Sequence, residues 1–95
     1  MDIEVAEALS LLMMRINSQL NDSVALVRDR CSAEDLHWFR REVGKIMGAL
    51  CLDIQERLWA EHPSLRPREM DGNYVVDPSN FEPRFYSVRR DSDKK

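Results

Sequence analysis

Residues 3–30 contain neither glycine nor proline, the two residues that most readily interrupt a helix. Along them and just beyond, Leu9, Met13, Ile16, Leu20, Val24, Val27 and Cys31 recur at steps of three and four, the period of one face of an α-helix. So long a helix cannot shield its own apolar stripe, and whatever follows must pack against it. Ser32 with Asp35 three places on resembles a capping box and predicts a second helix start. Its stripe runs through Leu36, Phe39, Val43, Ile46, Met47, Leu50, Ile54 and Leu58. Pro63 disfavours helical geometry at His62 and closes the helix there.

Two helices over about 3–30 and 33–62, with almost nothing between them, fold back as a long antiparallel hairpin over residues 1–62. The predicted fold is therefore all-α. Placed around the second helix at ~100° per residue, Leu52 and Trp59 fall opposite the main stripe. Leu11 and Met14 lie similarly off the main stripe of the first helix, which gives a second apolar surface at the open end of the hairpin. Such a surface predicts association. Gly44 and Gly48 stand one turn apart in the middle of the second helix, where each costs roughly 1 kcal/mol relative to alanine. That spacing predicts a smooth groove for close approach of another helix. Leu11, Met14, Gly44, Gly48, Leu52 and Trp59 are thus the expected self-association set, and a homodimer completing a four-helix bundle is the expected assembly.

Residues 63–95 change character. Four prolines punctuate them, and Asp71-Gly72 and Asp77-Pro78 are turn signals. Tyr74-Val75-Val76 reads as a very short strand. Tyr74, Phe81, Phe85 and Tyr86 carry too much apolar surface for a pure linker. The expectation is an irregular tail packed on the bundle, with its last residues frayed. Together with Arg89 and Arg90, those aromatic residues also form a candidate partner-binding segment.

The chemistry-bearing residues are sparse. Glu34 and His37 have the E-x-x-H spacing of di-iron carboxylate bundles, but Glu34 sits in the first helical turn, where an acid complements the helix dipole. His62, at a helix C-terminus, is placed to bond the last carbonyls. Glu34, His37 and His62 are the only polar candidates for a metal or ligand bound between helices, the alternative reading; no metal or cofactor is expected. Cys31 and Cys51 lack zinc or redox spacing and read as buried small hydrophobes. No nucleophile motif, Gly-rich phosphate loop or HExxH occurs, so an enzyme is not expected. Trp38, Arg41 and Lys45 share an outward face that suggests nucleic acid, yet Glu42 interrupts it and the net charge of −3 has the wrong sign. The first residues are acidic where a secretory signal is basic, and no stretch approaches the ~18 apolar residues of a membrane span. These features predict a cytoplasmic, non-catalytic interaction or regulatory module, engaging a protein partner through its tail or second apolar face.

Overall fold

The computed structural model describes residues 1–87. Helix α1 spans Ile3–Arg30 and α2 spans Ala33–Ala49, packed against each other. Asp2 caps α1 by accepting from the Glu4 amide at 3.2 Å, and the Ser32 hydroxyl caps α2 by accepting from the Asp35 amide at 3.0 Å. Each cap satisfies one of the amides that a helix start leaves without a partner. Only Cys31 and Ser32 separate the two helices, which brings them back alongside one another. The architecture is all-α, with no strand among the described residues and no helix there long and apolar enough to cross a membrane.

The second helix does not continue regularly to its end. A π-helical turn, Leu50–Gln55, joins α2 to α3, Glu56–Glu61. The wider turn advances the chain by one residue relative to an α-helix and rotates everything after it. Position 54 would follow 43, 47 and 50 on the buried face of an uninterrupted α-helix; instead Gln55 is 5% exposed and Ile54 is 40% exposed. The same rotation turns Trp59 inward to 2% exposure, so it joins Leu58 in the core rather than lying on an outer surface. Ile46 also departs from the expected stripe at 52% exposed, because nothing in the described chain covers its side of the hairpin. The cysteines are not buried either. Cys31 is exposed at the C-cap of α1, and Cys51 is half-buried on the π turn.

His62 leaves helical geometry at φ −134° and ψ 80°, as the following proline requires. Short 3₁₀ turns then follow at Pro63–Leu65, Arg68–Met70 and Pro78–Phe81. The expected strand at Tyr74 reduces to a single bridge with Pro67. The Tyr74 amide donates to the Arg66 carbonyl at 3.0 Å, and the Arg68 amide donates to the Tyr74 carbonyl at 3.0 Å. Gly72 closes this loop so tightly that a Cβ there would lie 2.0 Å from the Arg66 carbonyl oxygen. No other residue fits without moving backbone.

The core sits at the open end of the hairpin. Ala6, Leu58, Trp59 and Leu65 form it, with Leu9, Met14 and Tyr74 packed around them. The Trp59 indole N–H donates to the Ser10 hydroxyl at 3.0 Å, which removes the penalty of burying both groups. Above the ring, the Arg66 guanidinium lies 5.2 Å from the centroid and bonds Glu56 at 2.6 Å. The closed 66–74 loop thereby holds a cation over the buried indole.

Candidate functional site

Between the two long helices and the C-terminal segment lies a cavity of about 660 Å³, within the size range of sites that enclose small molecules. Helix α1 supplies Met14, Asn17, Ser18 and Asn21 to one wall. The opposite wall comes from Met47 on α2, Cys51 and Gln55 on the π turn, and Trp59 on α3. Its roof is Pro67, Glu69, Met70, Val76, Pro78 and Phe81. Methionine, tryptophan, phenylalanine and proline dominate the surface, and Glu69 is the one charged lining residue among those described.

Gln55 is the unusual member of this set. It is 5% exposed, and among the described residues its amide has no hydrogen-bonding partner, not even as a cap for α3. No fully enclosed side-chain nitrogen or oxygen lacks a partner among the described residues. The Gln55 amide therefore meets the open space of the cavity.

The roof is held by polar contacts strung along α1. The Tyr74 hydroxyl donates to Glu7 at 2.5 Å, the Asn80 amide donates to the Leu11 carbonyl at 3.0 Å, and Arg15 donates back to the Asn80 carbonyl at 3.1 Å. Further on, Arg84 pairs with Asp22, with its Nε at 2.9 Å, and the Phe85 amide donates to the same carboxylate at 3.2 Å. Last, the Tyr86 hydroxyl donates to Asp29 at 2.8 Å. The segment thus runs parallel to α1. From Glu7 to Asp29 the helix rises ~33 Å, and residues 74–86 span at most ~40 Å fully extended. The segment follows α1 over much of its length, through the 3₁₀ turn at Pro78–Phe81.

These contacts set the local ionisation. The hydrogen bond from Arg84 holds the Asp22 carboxyl below its ordinary value of 3.8 despite burial, and the backbone amides of Tyr86 and Phe85 add to it. Asp22 is only 2% exposed, so this carboxylate is satisfied by the tail rather than by water. At the other end the hydrogen bond to Glu7 pushes the Tyr74 hydroxyl up to about 12. Asp29 is lowered by hydrogen bonds from Arg28 and Tyr86.

The residues singled out from the sequence are scattered around this site. Leu11 and Met14 lie under or beside the roof, and Trp59 is in the core beneath it. Leu52 is 70% exposed on the π turn, Gly44 is exposed and Gly48 half-buried. An added Cβ at either glycine meets nothing within 4 Å, so among the described residues neither glycine serves a close approach. Tyr74 and Phe81 turn inward, Phe85 is exposed, and Tyr86 is anchored through its hydroxyl. Arg89 and Arg90, with the last residues for which fraying was expected, lie outside the described residues.

Glu34 and His37 are both exposed in the first turn of α2, and the His62 Nε2 lies 2.7 Å from the Met1 carbonyl, to which it donates. No group of three metal-ligating side chains comes together among the described residues. On the outward face of α2, Arg41 and Lys45 both bond Glu42, at 3.2 and 3.1 Å, beside the exposed Trp38.

Two residues that matter here escaped the sequence reading. Asp22 belongs to a second, polar stripe on α1 with Glu7, Arg15, Ser18 and Asp29, whose steps of one or two helical turns could have revealed it. Gln55 had no such signal, because α-helical periodicity puts it on the outside. No protein-family model matches this sequence, and comparison with curated proteins and with solved structures gives no match.

Proposed function

We propose that this chain is a non-catalytic interaction module that works as a homodimer, the open face of one hairpin meeting that of a second copy to complete a four-helix bundle. One observation carries the reading: the face turned away from the tail is apolar and bare. Val5 and Leu12 on α1 and Ile46 and Ile54 on the second helix are all exposed. Leu12 lies ~170° around α1 from the cavity-lining Met14 and Asn21, taken together. Ile46 and Ile54 each sit one residue behind a cavity-facing neighbour, Met47 and Gln55. In an antiparallel pair these four side chains share the same broad face.

The size of the core supports a second copy. Among the described residues Ala6, Val43, Leu58, Trp59 and Leu65, with Pro67, are the buried apolar side chains, a thin core for a domain near the lower limit of independent stability. A symmetric dimer buries the same patch on both copies at once, which makes it the simplest closed assembly. The self-association surface proposed here is thus Val5, Leu12, Ile46 and Ile54, with Leu52 at its margin. Leu11, Met14 and Trp59 are taken up by the chain's own tail.

Light scattering behind a sizing column tests the reading on the full chain. The expected mass is twice the 11.1 kDa of one chain, and Leu12→Glu with Ile46→Asp is expected to weaken association by at least about a hundredfold. A wild-type chain that stays monomeric at high concentration would refute the dimer. A double variant as dimeric as the wild type would place the interface elsewhere.

A further inference from the structure

We infer that the roofed cavity is a binding site for a neutral, mostly apolar small molecule carrying one amide-like edge, and that Gln55 reads that edge. The inference concerns the tail-covered face and does not depend on the dimer.

Three independent observations meet at this place. The first is the cavity itself, about 660 Å³, walled by α1, the second helix and the C-terminal segment and open to solvent between them. The second is the identity of the residue the π turn brings into it. A regular helix would bury Ile54 here and expose Gln55, whereas the π turn exposes the isoleucine and buries the amide at 5%. An apolar side chain is turned to solvent, and an amide takes its place on the cavity wall, open to the cavity and with no partner among the described residues. An isoleucine outside and an amide inside depart from what apolar burial favours, and such local departures are expected at functional positions. π turns within helices are themselves concentrated at functional sites.

The third observation is the charge of the lining. Glu69 is the one charged lining residue described, and no lysine, arginine or histidine joins it. An anionic occupant would leave water for a surface that offers it only a like charge, so carboxylates, phosphates and acyl anions are disfavoured. What remains is a neutral molecule. Met14, Met47 and Met70 give flexible, polarisable contacts that adapt to an irregular outline, while Trp59 and Phe81 offer aromatic faces. The Gln55 amide both donates and accepts. Its matching group is one that does the same side by side, as a lactam or a secondary cis-amide does. The site so built pairs one hydrogen-bonding edge on Gln55, keeps Asn17, Ser18 and Asn21 as further polar groups along the α1 wall, and is permissive over its apolar remainder.

The test uses two probes of the same ring outline, phenanthridin-6(5H)-one, a tricyclic lactam, and phenanthrene, which lacks the lactam. Binding is followed on the full chain by NMR, through the Gln55 side-chain amide and the Trp59 indole N–H. The lactam is expected to shift both signals saturably and to bind at least about tenfold more tightly than phenanthrene. Gln55→Leu is expected to remove that preference while phenanthrene binds the variant within about twofold of the wild type. A third probe, phenanthridine-6-carboxylate, is expected to bind at least about tenfold more weakly than the lactam.

Absence of saturable shifts with the lactam would overturn the site. Equal binding of lactam and phenanthrene by the wild-type chain would overturn the role of Gln55 without any variant. Should Gln55→Leu disturb the fold, Gln55→Met, which keeps an unbranched side chain, is read in its place. A carboxylate bound as tightly as the lactam would overturn the ligand class.

Discussion

On the tail-covered face of the hairpin Trp59 is 2% exposed, and on the opposite face Ile46 is 52% exposed. Both side chains are strongly apolar, so hydrophobicity does not decide which one is covered. The difference lies in the polar residues around them. Beside the covered face, α1 presents Glu7, the Leu11 carbonyl, Asp22 and Asp29 in a row, and each takes a hydrogen bond from the tail. On the bare face, the same helix presents Val5 and Leu12. The proline-punctuated segment adds these contacts to the apolar packing of Leu65 and Tyr74. Directional contacts hold it in place, and a second hairpin, rich in apolar side chains, suits the face that lacks them.

The strongest way to break this comparison is to truncate one large side chain on each face. Trp59→Ala removes a buried ring, strands the Ser10 hydroxyl and takes away the surface beneath Arg66. It is expected to lower unfolding stability by about 4 kcal/mol. Ile46→Ala, by contrast, is expected to change the stability of a monomer by less than ~1 kcal/mol. In the proposed dimer its effect grows with protein concentration, because the lost surface belongs to the interface. Denaturant titrations at two concentrations separate the cases. Equal losses for the two variants at low concentration would erase the distinction between the faces.

A smaller perturbation addresses the contacts that hold the tail. Asp22→Ala removes the carboxylate that Arg84 and the Phe85 amide share, and it is expected to cost about 2 kcal/mol. The loss should be local, appearing as faster amide exchange and proteolysis in residues 74–87 while α1 and α2 remain protected. Acid should imitate the substitution. Because the folded Asp22 lies below its ordinary value of 3.8, its stabilising contribution is complete above that value and is lost as pH falls through the lowered folded one. Tyr74 behaves in the opposite sense. Its hydroxyl is raised from 10.0 to about 12, so its contribution is complete below pH 10.0 and is lost as pH rises toward 12. The tail is expected to loosen from its Asp22 end in acid and from its Tyr74 end in alkali, with exchange rates at residues 84–87 and 66–76 as the respective readouts. Loosening of both ends together at one pH would mean that the segment docks as a unit rather than through separate contacts.

How far the sequence foretold this arrangement depends on which interactions set each part. The hairpin was legible because caps, proline and apolar period all agree: Ser32 with Asp35 marks one start, Pro63 marks one stop, and Val43 and Leu58 are buried where the stripe places them. The cavity was not legible, because it rests on a one-residue change of phase at Leu50–Gln55. Periodicity presumes a constant turn, so it exposed Gln55, buried Ile54 and put Trp59 on the outer side. The expected second apolar surface was real in composition, but the π turn moved Trp59 out of it and the tail covered Met14. Polar contacts across sixty residues, such as Asp22 with Arg84, leave a trace only as a spacing of acids on α1.

The glycines give the finest distinction between the faces. Gly44 and Gly48 lie in the interior of α2, and a Cβ at either position meets open space. If the interface is the Val5–Leu12–Ile46–Ile54 face, the glycines lie outside it, since Gly44 and Gly48 sit ~160° around α2 from Ile46, taken together. Alanine at each should then stabilise the chain by about 1 kcal/mol through helix propensity alone, leaving the dimer mass unchanged. If another helix instead approaches closely across the glycines, two methyl groups would hold it away, and the double variant would associate more weakly even as each isolated chain became more stable. On Gly44→Ala with Gly48→Ala, stability thus rises in both cases, while the mass stays that of a dimer for one interface and falls for the other. A gain in stability with an unchanged dimer assigns the glycines to solvent and leaves the bare apolar face as the site of association.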